Sequence, residues 1–485
     1  MSSDANISEI KKLENFFHPE SIAVIGASAN PHKIGFRVLG NILFGELPTG
    51  DDFEEKINQM VKEGKKAYPG KVYPVNIKGG EILGLKVYKT VLDIPDKVDM
   101  AVICVPPQFV KDTITQLGQK GCYSAIVITA GFGEIGNKDA EREIVEEARK
   151  WGVRIIGPNC FGVFNTYLPL NATFSRDIPI KGPISFISQS GAVGASAIIY
   201  GKSEAIGFRY FVSIGNKADV TDADLLRVYG RDPKTKAIAI YVESFPDGRE
   251  FYEAAKEVSW HVPIVALKAG RTEAGKKAAS SHTGAIATSD VAVEAAFKQA
   301  GIFRAYTFYG LLDAARALGY QHPPTGERIA ILTNAGGAGV ITADYMYDLG
   351  MKLADLSEET IEKINEVCPP TWSHGNPVDV VGDADDERFA RTLEIMTQAP
   401  EIDGIIVLVV PTGTLDVPKL SKRIVEIANQ TTKPMVASFV GVVTGEADDY
   451  LEQHGIPSYS FPERAAYGMY ALVERGRFLR KIGVM

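Results

Sequence analysis

One histidine carries the most distinctive chemistry in this sequence. His282 sits in the polar, glycine-punctuated stretch 268–285, between the apolar run 263–267 and the helix-patterned run Asp290–Ala300. Ser281, Thr283 and Gly284 flank it, small residues that leave an imidazole reachable and let the backbone come close to a ligand. Loops of this length inside compact domains are usually functional. The expectation is a nucleophile that travels, against the plainer reading of an idle histidine on a surface loop. Lys268, Arg271, Lys276 and Lys277 surround it in sequence; solvation is their ordinary explanation, screening of a transferred anion the functional one. The expected orienting partner is Glu243, which ends the apolar run Ala237–Val242 one βαβ unit earlier. A carboxylate there can accept the Nδ1 proton and leave the Nε2 lone pair for attack.

Two further stretches have the makings of anion sites. Ser188, Gln189, Ser190 and Gly191 follow the run 183–187 and open an alanine-rich helix, and Gly336 and Gly337 open another after Arg328–Thr333. Free amides and the helix dipole at such starts hold phosphate without a metal. Hydroxyls and glycines there are also ordinary capping. These six residues form the expected phosphate site, with the phosphoryl group stabilised between two opposed helix starts.

Positioning such groups takes a large scaffold. The chain has 485 residues, which predicts about three domains. Buried runs at Ser21–Ile25, Lys71–Val75, 100–105, 124–128 and 153–156 alternate with amphipathic stretches, the pattern of a doubly wound parallel sheet. The alternation resumes at 183–187, 208–214 and Ala237–Val242, with the turn 215–220 between, and again from Arg328–Thr333 through 404–410 and 434–439 to a final helix over Pro462–Lys481. The expected fold class is α/β with three doubly wound domains, at 1–165, 166–320 and 321–485. The stretch 47–66 reads as an insertion, and the irregular loop 368–383, carrying Trp372 and His374, as a contributor to the site. No run approaches the ~20 apolar residues of a membrane span, and the start lacks a secretory pattern. Cys104, Cys122, Cys160 and Cys368 lie too far apart for a zinc signature, so no metal is expected. A net charge of −8 argues against non-specific nucleic-acid binding. The sequence reads as a reduced, cytoplasmic protein.

The first strand ends in the turn 26–35, which lacks the second and third glycines of a dinucleotide fingerprint, and the second ends at Val75-Asn76 without the acidic residue a ribose would want. An NAD-linked oxidoreductase is therefore disfavoured. Taken in order, the turns at 26–35, 75–76, 105–107, 129–134 and 157–162 resemble the coenzyme A-binding domain of the succinyl-CoA synthetase superfamily. By that resemblance Gly26, Ser28, Lys33, Val75 and Pro106 line a coenzyme A site, with Lys33 near a phosphate. Asn159 shapes the turn beside the thioester, and Cys160 is merely buried.

The order of the three domains resembles the α subunits of ADP-forming acyl-CoA (acetyl-CoA) synthetases. The resemblance implies a Rossmann-like CoA-binding domain followed by two flavodoxin-like domains, and an acid-thiol ligase. Acyl-CoA, phosphate and ADP would become acid, CoA and ATP through an acyl phosphate and a phosphohistidine at His282. The ~200 residues of an ATP-grasp module are missing, so ADP/ATP with Mg2+ is expected on a β subunit, in an α2β2 heterotetramer. Rival readings are a non-catalytic sensor of CoA thioesters and the citrate-cleaving enzyme of the same superfamily. The acyl group and the choice of ADP or GDP are not legible.

Overall fold

The computed structural model describes residues 9, 11–277, 289–441 and 445–485. His282 lies outside them. The described chain is α/β and falls into two compact units, one built mainly from residues before 301, the other from 301–485 together with 203–206 and 262–265.

Besides the two-stranded ribbon Glu81–Ile82 with Leu85–Lys86, the first unit holds two large sheets. One runs Lys71–Val75, Ser21–Ile25, Met100–Ile103, Ser124–Val127, Arg154–Ile156, all parallel. Every residue of the three central strands is buried, as strands covered on both faces require. The chain leaves Ser21–Ile25 for one neighbour and returns to the other, so the crevice for a ligand opens at the carboxyl ends of Ile25 and Ile103. The runs read from 100–105 and 124–128 stop at Ile103 and Val127; Pro106 and Pro107 have no N–H to continue a ladder.

In the other sheet Ala237–Val242, Lys181–Ser188 and Phe208–Ser213 are parallel neighbours. An antiparallel hairpin, Gly162–Asn165 with Leu170–Thr173, extends the Phe208 edge. That hairpin was not legible in the sequence, because its buried positions include Asn165, Asn171 and Thr173. Each has partners: Asn165 donates to Phe17 O at 2.8 Å and accepts from Arg209 at 3.1 Å, Asn171 donates to Gly45 O at 2.7 Å, and Thr173 Oγ1 donates to Asn171 Oδ1 at 2.7 Å. Within 47–66 only a helix forms, Phe53–Lys62, with Ile57 buried.

The second unit carries a parallel sheet in the order Lys352–Leu353, Arg328–Thr333, Gly404–Val409, Met435–Phe439, Ser458–Tyr459, with Val378–Asp379 also pairing Arg328–Thr333. Its interior holds charges as well as hydrocarbon. Arg316 Nε lies 2.8 Å from Glu452 Oε1, and Arg464 reaches Asp313 at 2.7 Å and Glu204 at 2.9 Å. Buried ions persist when paired in this way.

The loop 368–383 was expected to contribute to a site, and its Trp372 and His374 pack against their own unit instead. Trp372 is buried in the core of its own unit and donates to Asn365 Oδ1 at 2.8 Å. The His374 ring contacts Pro370 O at 2.9 Å and packs on Trp372. An indole fully inside a core contributes packing, with its one N–H satisfied. No helix among the described residues is long and apolar enough to cross a membrane.

Candidate active site

A cavity of about 770 Å³ lies in the first unit, where the carboxyl ends of its two sheets meet. One wall comes from the first sheet: Cys104, Val105 and Pro106 after one strand, Ile128, Thr129 and Ala130 after the next. The opposite wall is Gln189, Ser190, Gly191, Ala192 and Ala195, the start of the helix Gly191–Ser203. Asn159, Cys160, Phe161 and Phe174 close the side. No charged side chain is among the lining residues. Enclosure pushes the Cys104 thiol up to about 12, and burial raises Cys160 likewise, so both thiols are protonated and inert near neutral pH.

Five of the expected site residues are thereby gathered around one space: Pro106, Asn159, Gln189, Ser190 and Gly191. Ser190 caps the helix, its Oγ accepting from Val193 N at 3.3 Å. The Gly191 position faces Phe161, whose Cβ would lie 3.4 Å from any added methyl group. Asn159 adopts φ +56°, its N–H donates to Thr129 O at 3.0 Å and its Nδ2 to Asn216 Oδ1 at 3.2 Å.

The remaining first-sheet residues do not line the cavity. Gly26, at φ +90°, is wedged between strands: its N–H donates to Val75 O at 3.0 Å, and an added Cβ would lie 2.8 Å from the Cys104 carbonyl carbon. Val75 buries its side chain in the core and offers only that carbonyl. Ser28 Oγ accepts from Asn30 N at 3.0 Å. Lys33 is exposed at the N-cap of the helix Ile34–Phe44, where no side chain takes up the first amides. An uncapped helix start beside a cation suits an anion. Ser188, also expected on phosphate, is fully buried with its Oγ on Ser190 O at 2.6 Å; it braces the turn.

Glu243 follows Val242, outside the cavity lining. Its N–H and that of Ser244 both donate to Gln189 Oε1, at 2.8 and 3.0 Å, and Gln189 Nε2 reaches Ser244 Oγ at 3.0 Å. Ala269 N donates to Val242 O at 2.9 Å. The segment that leads into 278–288 therefore departs beside the strand end bearing Glu243. Two of the cations around that segment have local partners: Lys268 is buried with Nζ on Ala269 O at 2.6 Å, and Lys276 pairs with Glu273 at 2.6 Å.

At the start of the helix Gly336–Asp348 the amides have no side-chain cap, and space opens around Gly337. A carboxylate already stands there, since a Cβ on Gly336 would lie 2.9 Å from Asp379 Oδ2. Fixed negative charge at a helix start competes with a phosphate for the same dipole. Among the described residues no group of three His, Cys, Asp or Glu side chains is placed to hold a metal.

Three family models account for most of the chain. A CoA binding domain matches residues 20–166, a succinyl-CoA ligase like flavodoxin domain 181–318, and a ligase-CoA domain 329–477. The α subunit of acetate–CoA ligase [ADP-forming] II from Pyrococcus furiosus is 44% identical over 96% of this chain and 98% of its own length. The acetate–CoA ligase [ADP-forming] of Methanocaldococcus jannaschii is 42% identical over 93% of this chain, which spans 62% of that protein. Among solved structures, the dinucleotide forming acetyl-coenzyme A synthetase 1 of Ca. Korarchaeum cryptofilum, in complex with phosphate and ADP, superposes with a TM-score of 0.88 at 39% identity, covering 98% of this chain and 100% of that one. The chain belongs to the family of α subunits of ADP-forming acetate–CoA ligases.

Sequence reasoning missed the apolar part of the cavity. Phe174 follows the unread hairpin, and Phe161 was seen only as part of a turn; their rings meet at 4.7 Å. Ala192 and Ala195 read as helix formers. Their three-residue spacing, which puts both on one helix face, was the one available signal.

Proposed function

We propose that the chain is the CoA-handling α subunit of an ADP-forming acyl-CoA ligase, converting acyl-CoA, phosphate and ADP to acid, CoA and ATP. The observation that carries this reading is the cavity, a space without charged lining that has a strand-end wall on one side and a phosphate-type helix start on the other. CoA would run from the uncapped helix start at Lys33, past Gly26, with its thioester arm entering beside Pro106. The fit is sterically reasonable: the glycine lets backbones approach closely, and the volume suits a small-molecule arm. Asn159 shapes the wall next to the thioester.

Phosphate would sit on the amides of Ser190 and Gly191. Its oxygen attacks the acyl carbon, the C–S bond breaks, and the sulfur leaves with the electron pair as CoA thiolate, giving an acyl phosphate. His282 Nε2 then attacks phosphorus, and the acid leaves as carboxylate with the bridging oxygen. Glu243 would orient the imidazole through Nδ1–H; its place at the root of the segment that carries the histidine supports this pairing. Such transfer needs positioning and charge stabilisation more than acid or base strength. Ser188 and Gln189 support the phosphate turn. Gly336 and Gly337, with Asp379 at the same helix start, are the weaker phosphate candidates.

The domains would divide at 1–165, 166–320 and 321–485. We place ADP/ATP and its Mg2+ on a β subunit with ATP-grasp domains, in an α2β2 heterotetramer, consistent with relatives named as α subunits. Four free thiols suit a reducing, cytoplasmic setting.

Intact-mass measurement after incubation with acetyl-CoA and phosphate tests the reading. A gain of ~80 Da in the wild type, absent in His282→Asn, is expected. Tight thioester binding without any gain, across a panel of acyl groups, would mean a sensor rather than an enzyme.

A further inference from the structure

The turn at 215–220 has no role in the function just described, yet it touches both ends of the chemistry. Gly215 has φ +55°, and an added Cβ would lie 2.3 Å from Pro158 O and 2.4 Å from Asn159 O. The turn is therefore pressed onto the cavity loop, backbone to backbone. Asn216 N donates to Pro158 O at 3.0 Å and Ala218 N to Gly157 O at 3.1 Å. Asn216 Oδ1 accepts from Asn159, while its Nδ2 reaches Glu134 and Glu141, each at 2.7 Å.

The next residue faces the other way. Lys217, at φ +57°, has no exposed side-chain surface. Its Nζ lies 2.5 Å from Asp222 Oδ2 and 2.9 Å from Ser244 O, near the Phe245 ring. Burial lowers its pKa, opposed by Asp222 and by the Glu243 charge. Ser244 is thus held from two sides: Gln189 accepts from its N–H and donates to its hydroxyl oxygen, and Lys217 donates to its carbonyl. A strained, fully buried cation is costly to keep, and a packing role alone would be met by an apolar side chain of the same volume.

We propose that Lys217 is a positioning residue for the phosphoryl-transfer step, fixing the Glu243–Ser244 strand end relative to the cavity through the Ser244 carbonyl. The inference rests on the reading of Glu243 as the partner of His282. Asn216 and Lys217, adjacent in the chain, tie the thioester-side wall and the strand end bearing the histidine-orienting carboxylate to one turn.

The test is quench-flow intact-mass analysis of His282 phosphorylation in the full chain, at saturating acetyl-CoA and phosphate. Lys217→Met leaves Asp222 buried alone and risks misfolding, so the paired variant Lys217→Met/Asp222→Asn removes both charges together. Its single-turnover rate is expected to fall at least about tenfold while its acetyl-CoA affinity, by calorimetry, changes less than about threefold. In a Glu243→Gln background the same pair should cost less than about threefold more, because Lys217 acts through Glu243. A folded paired variant with wild-type rate, equal losses of rate and affinity, or a full additional loss in the Glu243→Gln background would each overturn the inference. If Glu243→Gln itself keeps the wild-type rate, the fault lies in the Glu243–His282 reading instead.

Discussion

Replacing Gly35 by alanine sets two effects of known size against each other. Gly35 is the second residue of the helix Ile34–Phe44, where alanine is favoured over glycine by about 1 kcal/mol on propensity alone. The methyl group would, however, lie 2.0 Å from Gly26 O and 3.2 Å from the Ala27 Cα. Both are backbone atoms, and Gly26 is anchored to Val75 O at 3.0 Å, so no side chain can swing aside. Relief requires the helix start to retreat by about 1 Å, and overpacking of this kind costs roughly 1–3 kcal/mol, occasionally more. Sterics should win, leaving a net destabilisation on the order of 1–2 kcal/mol. The functional loss should be larger, because the same 1 Å withdraws the uncapped amides from the phosphates proposed to sit there. Calorimetric titration of CoA is expected to show affinity down at least about tenfold, with a lower melting temperature by circular dichroism. CoA binding within about twofold of wild type would refute the CoA placement, and a raised melting temperature, as propensity predicts, the packing argument.

Three other outcomes follow from the same geometry. Gly215→Ala forces a side chain into the left-handed region and against two carbonyl oxygens, so a loss of roughly 2–4 kcal/mol is expected in denaturant titration. Ala195→Phe points a ring into the 770 Å³ cavity and should lower the affinity for acyl-CoA more than that for phosphate, measured by equilibrium dialysis. Burial, partly offset by Arg316, holds the Glu452 carboxyl up at about 7. A carboxyl whose pKa rises on folding gives stability that is complete below its unfolded value of about 4.3 and is lost as pH climbs through the folded one. Calorimetric melting should therefore weaken from about pH 5 to about pH 8 in the wild type and less steeply in Glu452→Gln. Parallel slopes would show that Glu452 titrates normally.

Much of the fold was legible because the strands are buried on both faces. Continuous apolar runs such as Ser21–Ile25 and Ala237–Val242 need no tertiary information to be seen, and the glycine- and proline-rich turns that follow them mark the rim. The five turns of the first sheet and the helix start at Ser190 were legible for the same reason. The hairpin Gly162–Asn165 and Leu170–Thr173 was not, since its polar residues are satisfied by distant backbone groups such as Phe17 O and Gly45 O.

What the sequence determined by itself was the set of reactive types and their attachment to strand ends: an imidazole in a long polar stretch, a carboxylate after Val242, hydroxyls and glycine at a helix start. These are local facts, each written in one short run of the chain. Only the tertiary structure decided which of them share a space. Pro106, Asn159 and Ser190 line one cavity because two sheets turn their carboxyl ends toward each other, while Val75 and Ser188 turn inward and serve as braces. It also gave the turn at Lys217 its neighbours, since a hydrogen bond to Ser244 depends on where a strand 27 residues away comes to rest, and no local pattern encodes that.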